Sequence, residues 1–384
     1  MMPVLAQPGS CTGCTACMAV CPGHAIEMRP DSEGFLYPVV DASRCTECGR
    51  CTQTCPVLHR PPPRGPLAVY AAFSKDSETR KQSSSGGVFS LLAQQFLDGG
   101  GVVFGAGWDE SFNVVHKAIE DSLGLEAFRG SKYVQSDLGG TFTLVRQMLD
   151  SGRRVLFSGT PCQVAGLRAF LGSRETNLLC VDFVCHAVPS PGVFAAYKRE
   201  LERLYASRIT GVRFRDKTHG WRHFSTRMTF ANDGSYSATL HQDPFLLAFL
   251  SELCNRPSCH HCPIRELRSG SDIVLGDYWG IRNRFASMDD DQGISLVLAV
   301  TPEGMRLVDA VKEQLTWAVS DFEDARRSTA ALVSSPAAHP QRPRFFVQYP
   351  RKGFARTVRR LTRPPLHRRT RRLLGRIYRA LIRK

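Results

Sequence analysis

Helical and strand-like patterns of apolar residues alternate between residues 67 and 204. The clearest helical pattern, Val88 to Leu97, ends at three consecutive glycines, and the strand-like run Val102 to Gly105 follows it. The same reading predicts strands at 155–157 and 178–184, a helix ending at 144–149, and helices at 162–171 and 191–204. Strands that alternate with helices indicate an α/β domain, whose ligands bind at the strand-to-helix turns.

The pattern also bounds the organisation of the chain. Residues 61–66 are rich in proline and predict a stiff linker between two domains. The longest apolar runs, such as Ile294 to Val300, are far shorter than the roughly 18 residues that span a bilayer. The N-terminus has neither the charged nor the apolar region of a secretory signal. We therefore expect no transmembrane helix and a cytoplasmic location.

Basic residues concentrate at the C-terminus. The formal net charge is +15, but residues 351–384 hold 14 Lys and Arg and no acid. The first 350 residues carry 36 basic against 35 acidic residues, which argues against nucleic acid as a partner. From Arg371 to Arg383, apolar residues at helical spacing predict a basic amphipathic helix. Such a helix could lie on an anionic membrane surface at the inner membrane face, bind a partner protein or remain poorly ordered.

Eight of the 14 cysteines form two identical motifs. The runs C-x2-C-x2-C-x3-C-P consist of Cys11, Cys14, Cys17 and Cys21, and of Cys45, Cys48, Cys51 and Cys55. In bacterial ferredoxins, three thiolates of such a run bind one 4Fe-4S cluster and the fourth binds the other cluster. We therefore assign site I to Cys11, Cys14, Cys17 and Cys55, and site II to Cys45, Cys48, Cys51 and Cys21.

A pair of zinc sites is the alternative interpretation of these eight cysteines. Zinc modules use two cysteine pairs for each ion and give no reason for four cysteines in a row followed by proline, so we favour clusters. Between the two runs, Ala25 to Met28 and Phe35 to Val39 flank a polar turn and predict a hairpin. Residues 1–60 are thus predicted to form a small unit that conducts single electrons.

The remaining six cysteines are scattered. Cys259 and Cys262 form a C-x2-C pair closed by proline, and a 4Fe-4S cluster needs two further thiolates. Cys162 and Cys185 follow the ends of predicted strands and are best placed to supply them. We therefore predict a third cluster at these four residues, which we call site III. A structural zinc ion and free thiols remain open alternatives at this point.

Two cysteines stay outside this assignment. Cys180 lies within the apolar run Leu178 to Val184, which is typical of a small buried core residue. Cys254 ends an apolar helix predicted at 245–253, and its role is left open.

Two strand-to-helix turns are rich in small residues. Ser84 to Gly87 precede the Val88 helix, where backbone N–H groups and the helix dipole can hold a phosphate or flavin oxygen. A helix N-cap followed by close-packed glycines explains the same residues equally well. In the second turn, Pro161 suits a first helical position and places Cys162 at a positive helix end, which favours a thiolate. No G-x-G-x-x-G motif follows a predicted strand.

Six segments, which begin at residues 83, 130, 155, 185, 212 and 256, occur in a recognisable order. They read SSSGGVFSLL, GSKYVQS, VLFSGTPCQVAGLRAFLG, CHAVPSPGVFAAY, VRFRDKTHGWRHFS and RPSCHHCPIRELRSGSDIVLGDYWGI. Over about residues 5 to 300 the chain thereby resembles the family of coenzyme F-420 hydrogenase/dehydrogenase beta subunits, in the subtype with a ferredoxin unit fused in front. The fused unit, the residues after about 300 and the basic tail depart from the family pattern and leave the substrate open.

The resemblance implies a flavoprotein that binds FAD beside an iron-sulfur cluster and exchanges electrons between them. Family members reduce or oxidise F-420, and relatives reduce chlorophyll derivatives or serve sulfite reduction. Carried over by motif, the flavin side would be lined by Ser85, Gly86, Gly87, Lys132, Tyr133, Gly159, Thr160 and Pro161. The resemblance also implies that Cys162, Cys185, Cys259 and Cys262 hold the cluster next to the flavin.

Coupling one-electron clusters to a hydride-accepting substrate also requires a proton donor. His186, directly after Cys185, and His219 are the candidates, because histidine titrates near neutral pH. For each of them, a hydrogen-bonded structural histidine is the interpretation that the sequence alone favours. Asp272 and Asp277 bracket a strand-like run and are left unassigned.

We therefore expect an α+β protein with a ferredoxin domain at 1–60, a linker at 61–66, a larger α/β flavin-binding domain and a basic helical tail. The resemblance divides the larger part into the N-terminal region of a beta subunit, its C-terminal FAD/iron-sulfur region and a connector, at 67–145, 146–320 and 321–350, before the tail at 351–384. The expected function is oxidoreduction between the 4Fe-4S clusters and a two-electron substrate at FAD, with a redox protein or complex as partner. A non-catalytic electron-transfer subunit of a larger redox complex is the alternative.

Overall fold

The computed structural model describes residues 3–172 and 176–363 and confirms the expected mixture of helices and strands. The α-helices in these ranges are α1 (Ala16–Ala19), α2 (Arg50–Gln53), α3 (Ser77–Gln82), α4 (Val88–Asp98), α5 (Thr141–Asp150), α6 (Pro161–Leu171), α7 (Pro191–Tyr205), α8 (Pro244–Leu250), α9 (Ile281–Arg284), α10 (Pro302–Ala310), α11 (Phe322–Ser328), α12 (Arg342–Lys352) and α13 (Phe354–Leu361). The strands are β1 (Ile26–Pro30), β2 (Leu36–Val40), β3 (Ala68–Ser74), β4 (Val102–Trp108), β5 (Val114–Ile119), β6 (Val155–Gly159), β7 (Leu178–Phe183), β8 (Ile209–Asp216), β9 (Ser225–Phe230), β10 (Ser235–Thr239), β11 (Ile273–Asp277), β12 (Ser295–Ala299) and β13 (Leu315–Ser320).

The N-terminal unit is built on the predicted hairpin. Strands β1 and β2 pair antiparallel, with Ile26 opposite Val40. Asp31 fixes the turn between them, because its Oδ1 accepts hydrogen bonds from the N–H groups of Glu33 and Phe35. Helices α1 and α2 are short and lie within the two cysteine runs.

Eight strands form the central sheet of the larger domain, in the order β13-β3-β12-β11-β7-β6-β4-β5. Strands β11, β7, β6 and β4 run parallel, whereas β12 pairs antiparallel with both β11 and β3. The strands predicted at 102–105, 155–157 and 178–184 are three of these parallel strands. They are buried on both faces of the sheet, which explains why they read as continuous apolar runs.

Helices cover both faces of this sheet. Val103 and Leu156 pack against α4 and α10 on one face, and Phe104 and Phe157 pack against α5 and α6 on the other. Successive residues of each strand point to opposite faces, so neighbouring apolar residues serve both layers. The carboxyl ends of the four parallel strands meet at one edge, where ligands bind in sheets of this kind.

A second, three-stranded sheet of β8, β9 and β10 packs with α7, α8, α12 and α13 around an aromatic core. Phe345, Phe354 and Val358 from the last two helices are buried in this core. Residues 351–361, which we assigned to the basic tail, therefore pack against the body of the protein. The basic helix predicted between Arg371 and Arg383 lies outside the described residues and stays a prediction. No helix in the described ranges is long and apolar enough to cross a membrane.

The N-terminal hairpin contacts the larger domain directly. A Cβ on Gly34 would lie 2.6 Å from the Cα of Gly192 in the first turn of α7, so the two backbones touch. The carboxylate of Glu33 accepts a bidentate pair of hydrogen bonds from Arg342 of α12. Next to the proline-rich segment, Arg60 Nε donates to the Pro263 carbonyl at 2.6 Å. The N-terminal unit is therefore fixed on the larger domain by contacts other than the linker.

Candidate metal and cofactor sites

The cysteines that we assigned to site I line one pocket of about 360 Å³, including space open to solvent. They are Cys11, Cys14, Cys17 and Cys55. Burial raises the pKa of Cys14 to about 12, and the nearby thiolates of Cys162, Cys11 and Cys55 raise it further. Thiolates crowded in an apolar pocket need positive charge beside them, and the iron ions of a 4Fe-4S cluster would supply it.

Site II lies nearer to the surface. Its cysteines are Cys21, Cys45, Cys48 and Cys51, of which Cys48 is exposed and Cys51 is buried. Burial raises the pKa of Cys51, and the thiolate of Cys21 adds to this effect, so the fourth cysteine of the first run approaches the second run. The position of Cys21 is consistent with the prediction that the fourth cysteine of one run binds the cluster of the other run.

All four cysteines of site III line a second pocket, of about 640 Å³ including space open to solvent. Cys162 lies in the first turn of α6, Cys185 follows β7, and Cys259 and Cys262 belong to the turn around the short 3-10 helix Pro257–His261. Burial raises the pKa of Cys185 well above its usual range, and the thiolates of Cys259, Cys162 and Cys262 raise it further. The structure thus brings together four thiols that are distant in sequence.

The position of Cys162 at the start of α6 does not by itself lower the pKa of its thiol. Burial and the nearby Cys262 thiolate raise the pKa of Cys162 to about 11, although the Thr160 hydroxyl lies 3.2 Å from its Sγ. Desolvation therefore outweighs the helix terminus here. Bound iron would reverse the balance, because a coordinating thiol loses its proton.

Sites I and III are neighbours. Thr12 lines both pockets. Helix α6 carries Cys162 of site III and also packs against site I, since a Cβ on Gly166 would lie 2.9 Å from the Sγ of Cys14. The two four-cysteine pockets are therefore separated by little more than one helix face and the Thr12 loop.

Residues after β13 complete the wall of site III. Ala331 and Leu332 line its pocket. Ser335 Oγ accepts hydrogen bonds from the Cys262 N–H at 3.1 Å and from Arg265 Nε at 2.9 Å. The segment that we expected to be a connector thus holds the C-x2-C turn in place, a role that no motif in its residues indicates.

Cys180 and Cys254 line neither pocket. Both are fully buried, Cys180 in the core between the sheet and α6, and Cys254 in the aromatic core around α8. Among the described residues, no three His, Cys, Asp or Glu side chains converge as the ligands of a single metal ion would. Cysteines around a 4Fe-4S cluster bind different iron atoms, so this finding is compatible with the cluster assignments.

Hydrogen bonds join the three loops that carry the expected flavin residues. The loops are residues 84–87, 130–136 and 158–161. The Ser131 N–H donates to Ser84 Oγ at 2.6 Å, which joins the first two loops. Gln163 Nε2 donates to Ser136 Oγ at 2.8 Å, which ties the second loop to α6, directly after the third. These segments therefore form one surface at the carboxyl edge of the sheet.

The glycines of the first loop serve close packing. The Gly86 N–H donates to Ser295 Oγ at 3.0 Å, and a Cβ on Gly86 would collide with the Ala72 carbonyl oxygen. Gly87 has φ +87° and occupies the N-cap of α4. Of the two interpretations that the residue pattern left open, close packing accounts for Gly86, because its amide already has a partner.

Lys132, Tyr133 and Thr160 are also tied into the protein. Lys132 Nζ donates to the carbonyl oxygens of Ala127 and Arg129, and burial lowers its pKa to about 7. The Tyr133 hydroxyl accepts a hydrogen bond from an arginine at 3.3 Å. Thr160 caps α6, which begins at Pro161. Any direct contact between these residues and a flavin stays a prediction.

Lys217 is a residue of this surface that sequence reasoning missed. Its Nζ donates to the carbonyl oxygens of Arg80, Ser85 and Gln292 at 2.7, 2.8 and 2.7 Å. Burial, together with the charges of Arg215 and Arg80, lowers its pKa to about 7. Lys217 belongs to the DKTHGW segment, so only the fold shows that this segment closes on the Ser84–Gly87 loop.

Asp277, which we left unassigned, has a structural partner. Its Oδ2 accepts a hydrogen bond from the buried Arg215 at 2.6 Å, and its Oδ1 accepts one from the Trp221 indole at 3.2 Å. Trp221 stacks on Trp279 with ring centroids 4.5 Å apart, and Trp279 is 41% exposed. Trp221 is fully buried, so only Trp279 of this pair faces solvent beside the loops. Asp272 instead pairs with Arg168 at 2.7 Å.

The two histidine candidates differ in position. His186 lines the pocket of site III, and its Nε2 lies 2.5 Å from Glu252 Oε1. Its side chain is 41% exposed, so the pair lies between the cluster pocket and solvent. His219 is exposed in the turn before Gly220. The geometry therefore favours His186 as the candidate that can move a proton near site III.

Asp182 is a buried carboxyl in the wall of the site III pocket. It lies near the end of β7 and is 2% exposed, and its Oδ1 has no hydrogen-bond partner among the described residues. Burial raises its pKa to about 7, although the hydroxyls of Ser269 and Ser271 oppose the shift. A carboxyl in this position is only partly ionised at neutral pH.

Two protein families match parts of this chain. Residues 152–325 match the model for the C terminus of the coenzyme F420 hydrogenase/dehydrogenase beta subunit. Residues 10–58 match the 4Fe-4S dicluster domain. The chain therefore contains an iron-sulfur dicluster domain followed by a C-terminal domain of the beta-subunit type, and the resemblance read from the sequence is confirmed.

Similar proteins agree with these matches. The chain is 26% identical over 193 residues to the F subunit of F(420)H(2) dehydrogenase from Methanosarcina mazei, an alignment that covers 47% of this chain and 54% of the relative. The chain thus spans about half the length of this curated relative. A chain of the F420-reducing NiFe hydrogenase complex from Methanosarcina barkeri has a similar fold, with a TM-score of 0.50 and 15% identity, covering 70% of this chain and 89% of that one.

The buried Asp182 predicts a pH dependence of stability. Because its folded pKa is raised, the unfolded chain releases this proton at a lower pH than the folded protein, and stability falls as pH rises from about 4 through about 7. Asp182→Asn should not lose this stability, which amounts to at most about 4 kcal/mol. At pH 8 the variant should therefore melt at a higher temperature than the wild type. Thermal unfolding at pH 5 and pH 8 measures the difference. The exposed Asp150→Asn is the control, and an equal gain in both variants would contradict the assignment.

Proposed function

We propose that this chain is an iron-sulfur flavoprotein oxidoreductase that passes electrons between its 4Fe-4S clusters and a two-electron substrate at FAD, with F-420 or a related hydride carrier as the substrate. The observation that supports this most is the adjacency of two four-cysteine pockets that share Thr12. Such adjacency suits transfer of single electrons from one cluster to the next. Cysteines that only stabilise the fold would not need to form two adjacent pockets.

The proposed order of the centres follows from their exposure. Site II has the exposed Cys48 and would exchange electrons with a redox partner. Site I lies between site II, with which it shares the two cysteine runs, and site III, with which it shares Thr12. Site III lies at the carboxyl edge of the sheet, where the substrate would react.

The surface beside site III has the groups that suit FAD. It includes Ser85 and Thr160, and the amines of Lys132 and Lys217 hold its loops in place. Trp279, which stacks on the buried Trp221, is its exposed aromatic ring. An exposed aromatic ring near the N-termini of α4 and α6 suits a cofactor with an aromatic ring system and phosphates. When bound, FAD exchanges single electrons with clusters and a hydride with organic substrates. The protein residues would orient it and exclude water.

The alternative is a non-catalytic electron-transfer subunit of a larger redox complex. It is favoured by the name of the Methanosarcina mazei relative, which is one subunit of a dehydrogenase. Both proposals require the clusters, and they differ in flavin content and in turnover by the isolated chain.

Anaerobic purification followed by flavin analysis separates the two proposals. We expect about one FAD per chain, the usual content of a single flavin site, and reduction of a viologen dye by reduced F-420. NADH and NADPH serve as comparison donors. A chain that holds its iron but no flavin, and that reduces the dye with none of these donors, would support the electron-transfer subunit instead.

The site III cluster is tested by removing one proposed ligand. Cys259→Ser should lower the iron content from about twelve to about eight per chain, since one 4Fe-4S cluster is lost. Cys254→Ala is the matched control, because Cys254 is buried nearby but lines neither pocket. It should keep about twelve iron atoms. Iron that is unchanged in the Cys259 variant would exclude the assignment.

His186 is proposed as the proton donor because its ring pairs with Glu252 beside site III. His186→Gln should lower turnover by roughly 100-fold, within the range for general acid-base residues, with iron and flavin contents unchanged. His241→Gln, at an exposed histidine, is the control. Turnover at several pH values checks the result. Full activity of the His186 variant, with a loss in His219→Gln, would move the role to His219.

A further inference from the structure

Arg256 is buried between sites I and III. Its side chain has no exposed surface. Its Nε donates to the Cys11 carbonyl at 2.8 Å, and its Nη2 lies 3.9 Å from the Cys11 Sγ. Arg256 adjoins site III as well, because its carbonyl oxygen accepts a hydrogen bond from the Cys259 N–H at 3.0 Å. A Cβ on Gly13, next to Thr12 in the wall of both pockets, would lie 2.9 Å from Nη1.

The other partners of the guanidinium are neutral. Nη1 donates to Gln135 Oε1 at 2.9 Å, and Nη2 donates to the Leu36 carbonyl at 3.0 Å. The rings of Tyr37 and Phe35 lie 4.2 and 5.4 Å from its Cζ. Across residues 3–172 and 176–363, no carboxylate lies within 4.0 Å of Arg256, in contrast to Arg215, Arg168 and Arg80.

A buried cation without an anion is costly, so Arg256 needs negative charge nearby. The groups next to it that can become anionic are the cysteines of the two sites, which bind a cluster as thiolates. A 4Fe-4S cluster bound by four thiolates is a net anion, and one-electron reduction makes it more negative. A fixed cation therefore stabilises the reduced form more than the oxidised form, which raises the reduction potential.

We propose that Arg256 is a charge partner shared by the clusters at sites I and III, and that it raises the reduction potentials of both. The proposal rests on the proposed function, which places a cluster at each site. The electron that leaves one cluster is the electron that the other accepts, and Arg256 stays protonated throughout. It is thus a positioning residue for charge and takes part in no bond change. Gln135 supports it, because its Nε2 donates to the Thr12 carbonyl at 3.0 Å in the wall common to both pockets.

Two substitutions separate charge from packing. Arg256→Gln removes the cation and keeps polar hydrogen-bonding atoms, whereas Arg256→Lys keeps the cation. The full chain is purified anaerobically, its iron is counted, and its cluster potentials are measured by EPR during titration with dithionite. In the Gln variant, the reduction potentials of sites I and III should become more negative by at least about 59 mV. For a one-electron couple, this shift corresponds to a tenfold change in the ratio of oxidised to reduced cluster. The Lys variant should stay close to the wild type.

Site II is the internal reference, since its reduction potential should not change. Lys198→Met is the external control, because Lys198 is a buried cation that donates to the carbonyls of Ser111 and Phe112 and lines neither cluster pocket. Potentials that are unchanged in the Gln variant with full iron would overturn the proposal. An equal shift of all three couples, or an equal shift in Lys198→Met, would do so too.

If Arg256→Gln loses iron, a third variant tests the proposal. Gln135→Glu keeps an acceptor for Nη1 and sets a carboxylate beside the guanidinium, so the reduction potentials of sites I and III should become more negative. No shift in that variant would overturn the proposal. Wild-type iron of about eight per chain would instead contradict the cluster at site III, and the site I couple would still test Arg256.

Discussion

The close approach of the N-terminal unit to helix α6 is the constraint on which the rest of the structure depends. Two four-cysteine pockets on separate domains stay next to each other only if the interface between the domains is fixed. The protein meets this requirement with backbone contact, since Gly34 touches Gly192 and no side chain fits between them. At the other end of the interface, Gly166 on α6 leaves room for Cys14. Glycine is required at these points because any Cβ would push the pockets apart.

The carboxyl edge of the sheet explains why distant segments form one surface. Loops after β3, β6, β7 and β11 emerge at the same edge, and polar side chains join them. Lys217 is the clearest example, because its amine bonds three carbonyl oxygens that would otherwise face one another across the loop junction. The Arg215–Asp277 pair performs the same task between β8 and β11. The geometry of this surface is thus set by buried cations that hold loop backbones.

Much of the candidate site could be predicted because its ligands follow rules of short range. The identical cysteine runs implied that Cys55 reaches the first cluster, and the strand ends pointed to Cys162 and Cys185. The role of Arg256 could not be predicted, because it depends on the approach of Cys11, which lies 245 residues away in sequence. The helix-terminus argument for a Cys162 thiolate was incomplete for a related reason. It considered one local dipole, whereas the burial of Cys162 and the nearness of Cys262 arise only in the folded protein.

The region after the matched family segment gains a structural explanation from these contacts. The family match ends at residue 325. Beyond it, Ser335 holds the C-x2-C turn of site III, and Arg342 binds Glu33 of the N-terminal unit. The side chains of Arg342 and Glu33 are 11% and 21% exposed, so this bidentate pair is shielded from solvent and is stronger than a surface ion pair. A domain of the beta-subunit type alone has no hairpin to hold. The departure from the family pattern therefore falls where the fused unit contacts the larger domain and beside the four-cysteine pocket of site III.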